Sequence, residues 1–309
     1  MPMNLFLKIG GAIVALVLLG GCSSSGPFVS QGKVRISTSF FPLEYFARQV
    51  AGDHAEVVSV IPNGLDPHDF DPTPKRLSAA YSGQLFIYSG ANLEPWADRI
   101  RPELESKGIR VLKMSEHVDL LSGTTGQPTQ DMNQADPHIW LDPVLAQRQV
   151  ELIRDALISI DPAQADDYRE HAAIFLDKLK TLDADFKSGL SSCMDHTVIL
   201  SHAAFQYLAH RYGFQMLSIS GLSPEQEPAP KDFVQLVDQA KKLGPRYIFF
   251  EKRSNPKLAE TLASEINGET LDMYHIDGGF TPEEAANPNL YLDQMRLNLN
   301  QLRIALQCL

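Results

Sequence analysis

The chain has 309 residues, 44% of them hydrophobic and 21% charged, and a formal net charge of −11. That is a globular composition at a length that accommodates two domains. The acidic balance argues against a nucleic-acid partner and against a basic membrane-binding face, and it favours cation approach only modestly.

In chain order, residues 1–21 read as a secretory signal, with one positive charge at Lys8, an apolar run from Ile9 to Leu19 and small residues after it. The run is too short for a comfortable transmembrane helix. Its end, "LLGGC", has the form of a bacterial lipobox, with Cys22 as the lipid-attachment residue and residues 22–32 as a flexible tether. A plain cleaved signal with a chance cysteine is the alternative. Lipidation implies a position outside the cytoplasmic membrane, in an oxidising compartment. With Cys22 assigned to lipid, Cys193 and Cys308 remain. A disulfide between them is the expectation, against two free thiols.

From Lys33 strands and helices alternate. "KVRISTS", "AEVVSVI", "QLFIYSG" and "IRVLKMS" read as strands; "FPLEYFARQVAG", "TPKRLSAAYSG" and "EPWADRIRPELESKG" read as the helices between them. Residues 116–134 are polar and read as a mobile loop, and "VLAQRQVELIRDALISI" closes the fourth strand–helix unit. Then the alternation stops. Tyr168, Ala172, Phe175, Leu179, Leu182, Phe186 and Leu190 recur every three or four residues, so the 28 residues from Ala163 to Leu190 predict one helix of about 42 Å. A second set of four units follows, with strands "HTVIL", "QMLSIS", "RYIFF" and "ETLDMYHI". The fold expected is α/β: two (β/α)4 lobes with parallel sheets, residues 33–162 and 193–309, joined by one long rigid helix in 163–192.

Three histidines share one kind of place on this drawing. His68 in "NGLDPHDFDPT", His138 in "ADPHIWLDP" and His202 in "VILSHAAF" each follow the carboxyl end of a strand, where open parallel sheets bind ligands. Two belong to the first lobe and one to the second, so they converge only in a cleft between lobes. Imidazole is the commonest zinc ligand, and a closed site takes four groups. Asp277, just past the last strand and before Gly278 and Gly279, is the candidate fourth, with His275 two residues earlier; Glu251, ending "RYIFF", is the other. Among the aspartates around His68, Asp71 reads as a helix-capping and turn residue.

"HDFDPTP", "NLEPW", "DPHIWLDP", "SHAAFQYLAHRYG" and "IFFE", in that order, resemble the zinc-binding solute-binding proteins of bacterial metal ABC importers, the ZnuA or AdcA type of cluster A-I. "HIDGGFTPEEAANPNLYLDQMRLNLNQL" is similar to the C-terminal segment of the same group. The resemblance covers the whole mature chain. It implies ligation of Zn2+ by His68, His138 and His202 with Asp277 at the fourth position, delivery to an ABC permease and its ATPase, a monomer, and no catalysis. Two departures stand out: the His-rich loop of many relatives is represented here only by His117, and Asp277 is shorter than the Glu that some relatives use, which leaves Glu251 or water as alternatives. Three imidazoles favour zinc over manganese, which prefers oxygen ligands and remains the alternative cargo. A zinc hydrolase reading lacks an HExxH pattern, and nothing in the sequence points to an adhesin.

Overall fold

Two four-stranded parallel sheets organise the structure, a computed structural model that describes residues 33–224, 228–251 and 256–309. The segment expected to be a signal, Cys22 and the expected tether lie outside the described residues.

The first sheet contains β1 (Val34–Thr38), β2 (Ala55–Ser59), β3 (Leu85–Tyr88) and β4 (Arg110–Lys113) in the order β2-β1-β3-β4. Its helices are α1 (Phe41–Ala51), α2 (Pro74–Tyr81), α3 (Pro95–Ser106) and α4 (Pro143–Ile160). β3 is buried at every position, as expected of an interior parallel strand. The carboxyl ends of β1 and β3 are tied through Glu94, whose carboxylate accepts from Ser39 Oγ (2.5 Å), Ser89 N (3.0 Å) and Gly90 N (3.0 Å). Burial pushes this carboxyl up to about 7 against the pull of those donors.

α5 (Ala165–Gly189) is one unbroken helix of 25 residues, about 38 Å long. It starts two residues later than the sequence suggests, because Pro162–Gln164 form a 3-10 turn first. Its stripe Tyr168, Ala172, Phe175, Leu179, Leu182 and Phe186 is buried against α4 and α1 on one side and α10 on the other.

The second sheet repeats the first: β5 (Thr197–Leu200), β6 (Gln215–Ser218), β7 (Tyr247–Glu251) and β8 (Glu269–Met273) in the order β6-β5-β7-β8. Around it lie α6 (Gln206–Tyr212), α7 (Pro230–Leu243), α8 (Lys257–Ile266), α9 (Pro282–Ala285) and α10 (Leu290–Ala305). The fold is therefore the α/β pair of parallel sheets with a long helix that the alternation suggests. β8 ends at Met273, three residues short of the sequence reading, and α6 begins only at Gln206, leaving residues 201–205 as a bend.

The halves share one hydrophobic core. Phe41 meets Phe280 with ring centroids 4.8 Å apart, and Phe46 meets Tyr291 at 5.0 Å. Buried hydrogen bonds cross between them: Tyr291 Oη donates to Trp140 O (2.6 Å), Trp140 Nε1 to His275 O (2.8 Å) and Tyr207 Oη to Asp136 O (2.7 Å). Asp142 caps α4 by accepting from Val144 N (2.7 Å) and Leu145 N (3.2 Å), and it also takes Arg211 Nε (2.6 Å) from α6. Each such group is costly to leave unmet once buried, so the halves resist sliding or opening.

Residues 116–134 are not the free loop their polarity suggests. Leu121 and Ser122 are buried, short bridges pair Leu121 with Pro128 and Ser122 with Ala135, and Leu121 N donates to Tyr207 Oη (3.2 Å). Gln206 Nε2 also donates to Gly123 O (3.0 Å). The segment straps the first half onto α6, through a few anchors whose partners lie over eighty residues away in sequence.

Cys193 and Cys308 form a disulfide across a sequence separation of 115. It joins the end of α10 to the segment after α5. Replacing both cysteines by Ser is expected to lower unfolding free energy by about 2–4 kcal/mol. The check is the urea midpoint of the double variant; an unchanged midpoint contradicts a stabilising role.

Candidate metal centre

The repeated Asp-Pro-His tripeptides do the same local work twice. Asp66 Oδ1 accepts from His68 N (2.8 Å), and Asp136 Oδ1 accepts from His138 N (2.9 Å). Each aspartate folds a side-chain turn over the proline and presents the histidine from its far side. Asp71 does not cap: it pairs with Arg99 (3.3 Å), and Thr73, at the start of α2, makes no side-chain capping bond either. Pro74 at the first helical position already lacks the amide hydrogen.

The three histidines meet. His68 Nε2 is 3.1 Å from His138 Nε2, and His202 Nε2 is 3.4 Å from His138 Nε2. Two ligands held about 2.05 Å from a tetrahedral zinc stand about 3.3 Å apart, so these separations match the edges of such a tetrahedron. His138 and His202 are each 1% exposed, whereas His68 is half-buried at the rim.

Carboxylates fix two of the rings. His138 Nδ1 lies 2.7 Å from Asp136 Oδ1, the same oxygen that accepts the His138 backbone N–H. That oxygen already accepts the backbone N–H, an arrangement that favours the tautomer with the ring proton on Nδ1 and the Nε2 lone pair facing the other imidazoles. Burial pushes the Asp136 carboxyl up to about 8, against the pull of the His138 backbone N–H. His202 Nδ1 contacts Glu251 Oε1 directly, so Glu251 serves the back of this ring while Nε2 faces His138. In the second half, His202 follows β5 and Glu251 ends β7, neighbouring strands at the point where the strand order reverses.

Burial, and then the neighbouring imidazoles, hold His68 and His138 well below the usual imidazole range, so both are neutral bases at neutral pH. His202 goes the other way. Burial pulls it down, but the Glu251 carboxylate outweighs that and leaves it raised. Glu251 is held well below the usual carboxylate range: burial raises it, and His275 and His202 pull it down further than that.

Asp277 lines a small pocket with Glu251 and His275, but its oxygens are not part of the His68–His138–His202 trio. Burial, with Glu251 and Asp66 nearby, pushes its carboxyl up to about 7. It reaches that pocket through Ile276, a buried residue at φ 58°, an uncommon conformation for a β-branched side chain. Neighbouring groups hold the turn. Asn298 accepts from Tyr274 N (2.9 Å) and donates to Tyr274 O (2.8 Å), and Asn63 brackets Phe280 through Phe280 N (3.0 Å) and Phe280 O (2.6 Å). Asp136, Trp140, Asn298 and Asn63 carry no pattern as ligands. Only Asp136, repeating its spacing to histidine, left a signal in the sequence.

The family model "Zinc-uptake complex component A periplasmic" (ZnuA) matches residues 36–305. The chain is 32% identical over 303 residues to the zinc-binding lipoprotein AdcA of Streptococcus pneumoniae R6, covering 96% of this chain and 60% of that one. It thus spans about three fifths of that relative's length. It is 30% identical over 306 residues to the high-affinity zinc uptake system protein ZnuA of Bacillus subtilis 168, covering 96% of both. The Zn(II)-bound ZnuA-like domain of the pneumococcal AdcA superposes with a TM-score of 0.76 at 33% identity, covering 89% of this chain and 99% of that one. A match that runs from β1 to the last turn of α10, together with these relatives, shows that the chain belongs to the ZnuA family.

Proposed function

We propose that this protein captures Zn2+ outside the cytoplasmic membrane and hands it to the permease of an ABC importer, whose ATPase supplies the energy. His68, His138 and His202 are the ligands, and Asp277 is the fourth group, reaching the ion directly or through water. The observation that carries the reading is the spacing of three Nε2 atoms, 3.1 and 3.4 Å around His138. Neutral nitrogens favour zinc over manganese. Cys22 is the lipid anchor after removal of residues 1–21, residues 22–32 are its tether, and the protein is a monomer that touches the permease directly. Lobes 33–162 and 193–309 about the helix in 163–192 frame the site. Capture and release without turnover is the activity; the manganese carrier is the second reading.

Ala in place of His68, His138 or His202 is expected to weaken zinc binding at least about 100-fold each, and Asp277→Ala about 10-fold. Competition against a chromogenic chelator measures this. Near-native affinity in any histidine variant removes that residue from the site.

Zinc displaces the protons on His202 and Asp277, whose affinities for them are raised. More of both are protonated as pH falls, so zinc should release more protons at about pH 6.5 than at about pH 8. Calorimetry in buffers of different ionisation enthalpy reads the number. Equal release at both values contradicts the assignment.

The shared core and buried cross-lobe hydrogen bonds support movement of the His68 loop instead of wide lobe closure. The radius of gyration from small-angle scattering should not change on loading with zinc, and a large contraction would refute this.

A further inference from the structure

A second group of ligand atoms lies behind His202. One atom each from His202, Glu251 and His275 falls within 4.8 Å of the others. His202 belongs to both trios, with its Nε2 facing His138 and its Nδ1 facing Glu251. His275 is 4% exposed, its ring lies 4.4 Å from that of His202, and its Nδ1 is 3.6 Å from Glu251 Oε2. Its Nε2 is buried with no hydrogen-bond partner among the described residues. An imidazole locked in place with an unmet nitrogen is costly if it serves packing alone. Its backbone is fixed from both sides, by Trp140 on its own carbonyl and by Asn298 on Tyr274. Asp277 lines the same pocket, which adds a second carboxylate.

We infer that His202, Glu251 and His275 form a second divalent-cation position, deeper than the His68–His138–His202 trio and sharing His202 with it. The donors are two imidazoles and one or two carboxylates, a set that suits zinc or a somewhat harder divalent ion. An ion moves between the positions when His202 exchanges the nitrogen it offers and Glu251 turns from the ring to the ion. The inner position does not depend on the transport reading, since it uses neither His68 nor His138.

The test removes the outer site and keeps the inner one. The double variant His68→Ala/His138→Ala is titrated with Co2+, following d–d absorption and equilibrium dialysis, beside wild type. One equivalent of tetrahedral Co2+ should remain, and adding His275→Ala should weaken it at least about 10-fold. Loss of all Co2+ binding in a folded double variant, with wild type still binding, overturns the inner position and leaves Glu251 and His275 as groups that only orient His202. Failure of wild type to bind would instead overturn the transport reading. If the double variant does not fold, anomalous diffraction from wild-type crystals soaked in excess Co2+ decides. A peak within bonding distance of a His275 ring nitrogen supports the position, and a peak at the outer trio alone refutes it.

Discussion

Three imidazole nitrogens face one another, with His68 and His202 each standing off His138 at a separation a tetrahedral ion imposes, and two of those rings are held from behind by carboxylates. Asp136 takes the Nδ1 side of His138, and Glu251 takes the Nδ1 side of His202. The Nε2 lone pairs of these buried rings therefore point at each other, an arrangement that repels unless a proton or a cation sits between them. Much of the surrounding structure holds that electrostatic conflict in place. The carboxylates that aim the rings are themselves held: Asp136 by the His138 backbone N–H, Glu251 by its place at the end of β7.

That arrangement needs a rigid frame, because the rings come from opposite halves. The frame is supplied less by α5 alone than by what accumulates around it. α1, α4 and α10 bury their apolar faces together with the helix, and the strap at residues 116–134 ties the first half to α6. Arg211 in the second half holds the aspartate that caps α4 in the first, so helix capping and lobe attachment are one interaction. His68 is the exception. It is half-buried, on a segment between β2 and α2 whose residues 63–65 are exposed. In the proposed function it is past this ring that an ion reaches the buried pair.

The sequence showed the architecture because each level agreed with the next. Apolar runs bounded by glycine gave strands, three- and four-residue spacing gave helices, and their alternation fixed parallel sheets. The three histidines were legible for the same reason: each follows a strand end, the place the fold reserves for ligands. What stayed hidden depends on contacts between distant residues. The anchors of residues 116–134 lie on α6, the bracket of Asn63 is on Phe280, and neither spacing nor composition marks them. Glu251 was visible as a carboxylate at the right depth, but only coordinates reveal that it backs His202. The reach of Asp277 depends on a left-handed turn at Ile276 that strand periodicity does not foresee.

The central claim is that His68, His138 and His202 jointly hold one zinc ion. Zinc K-edge X-ray absorption of protein loaded with a single equivalent tests it most directly. The account predicts nitrogen or oxygen neighbours at about 2.0 Å and outer-shell scattering from three imidazole rings. Two rings or fewer, or a shell of oxygen alone, would contradict it.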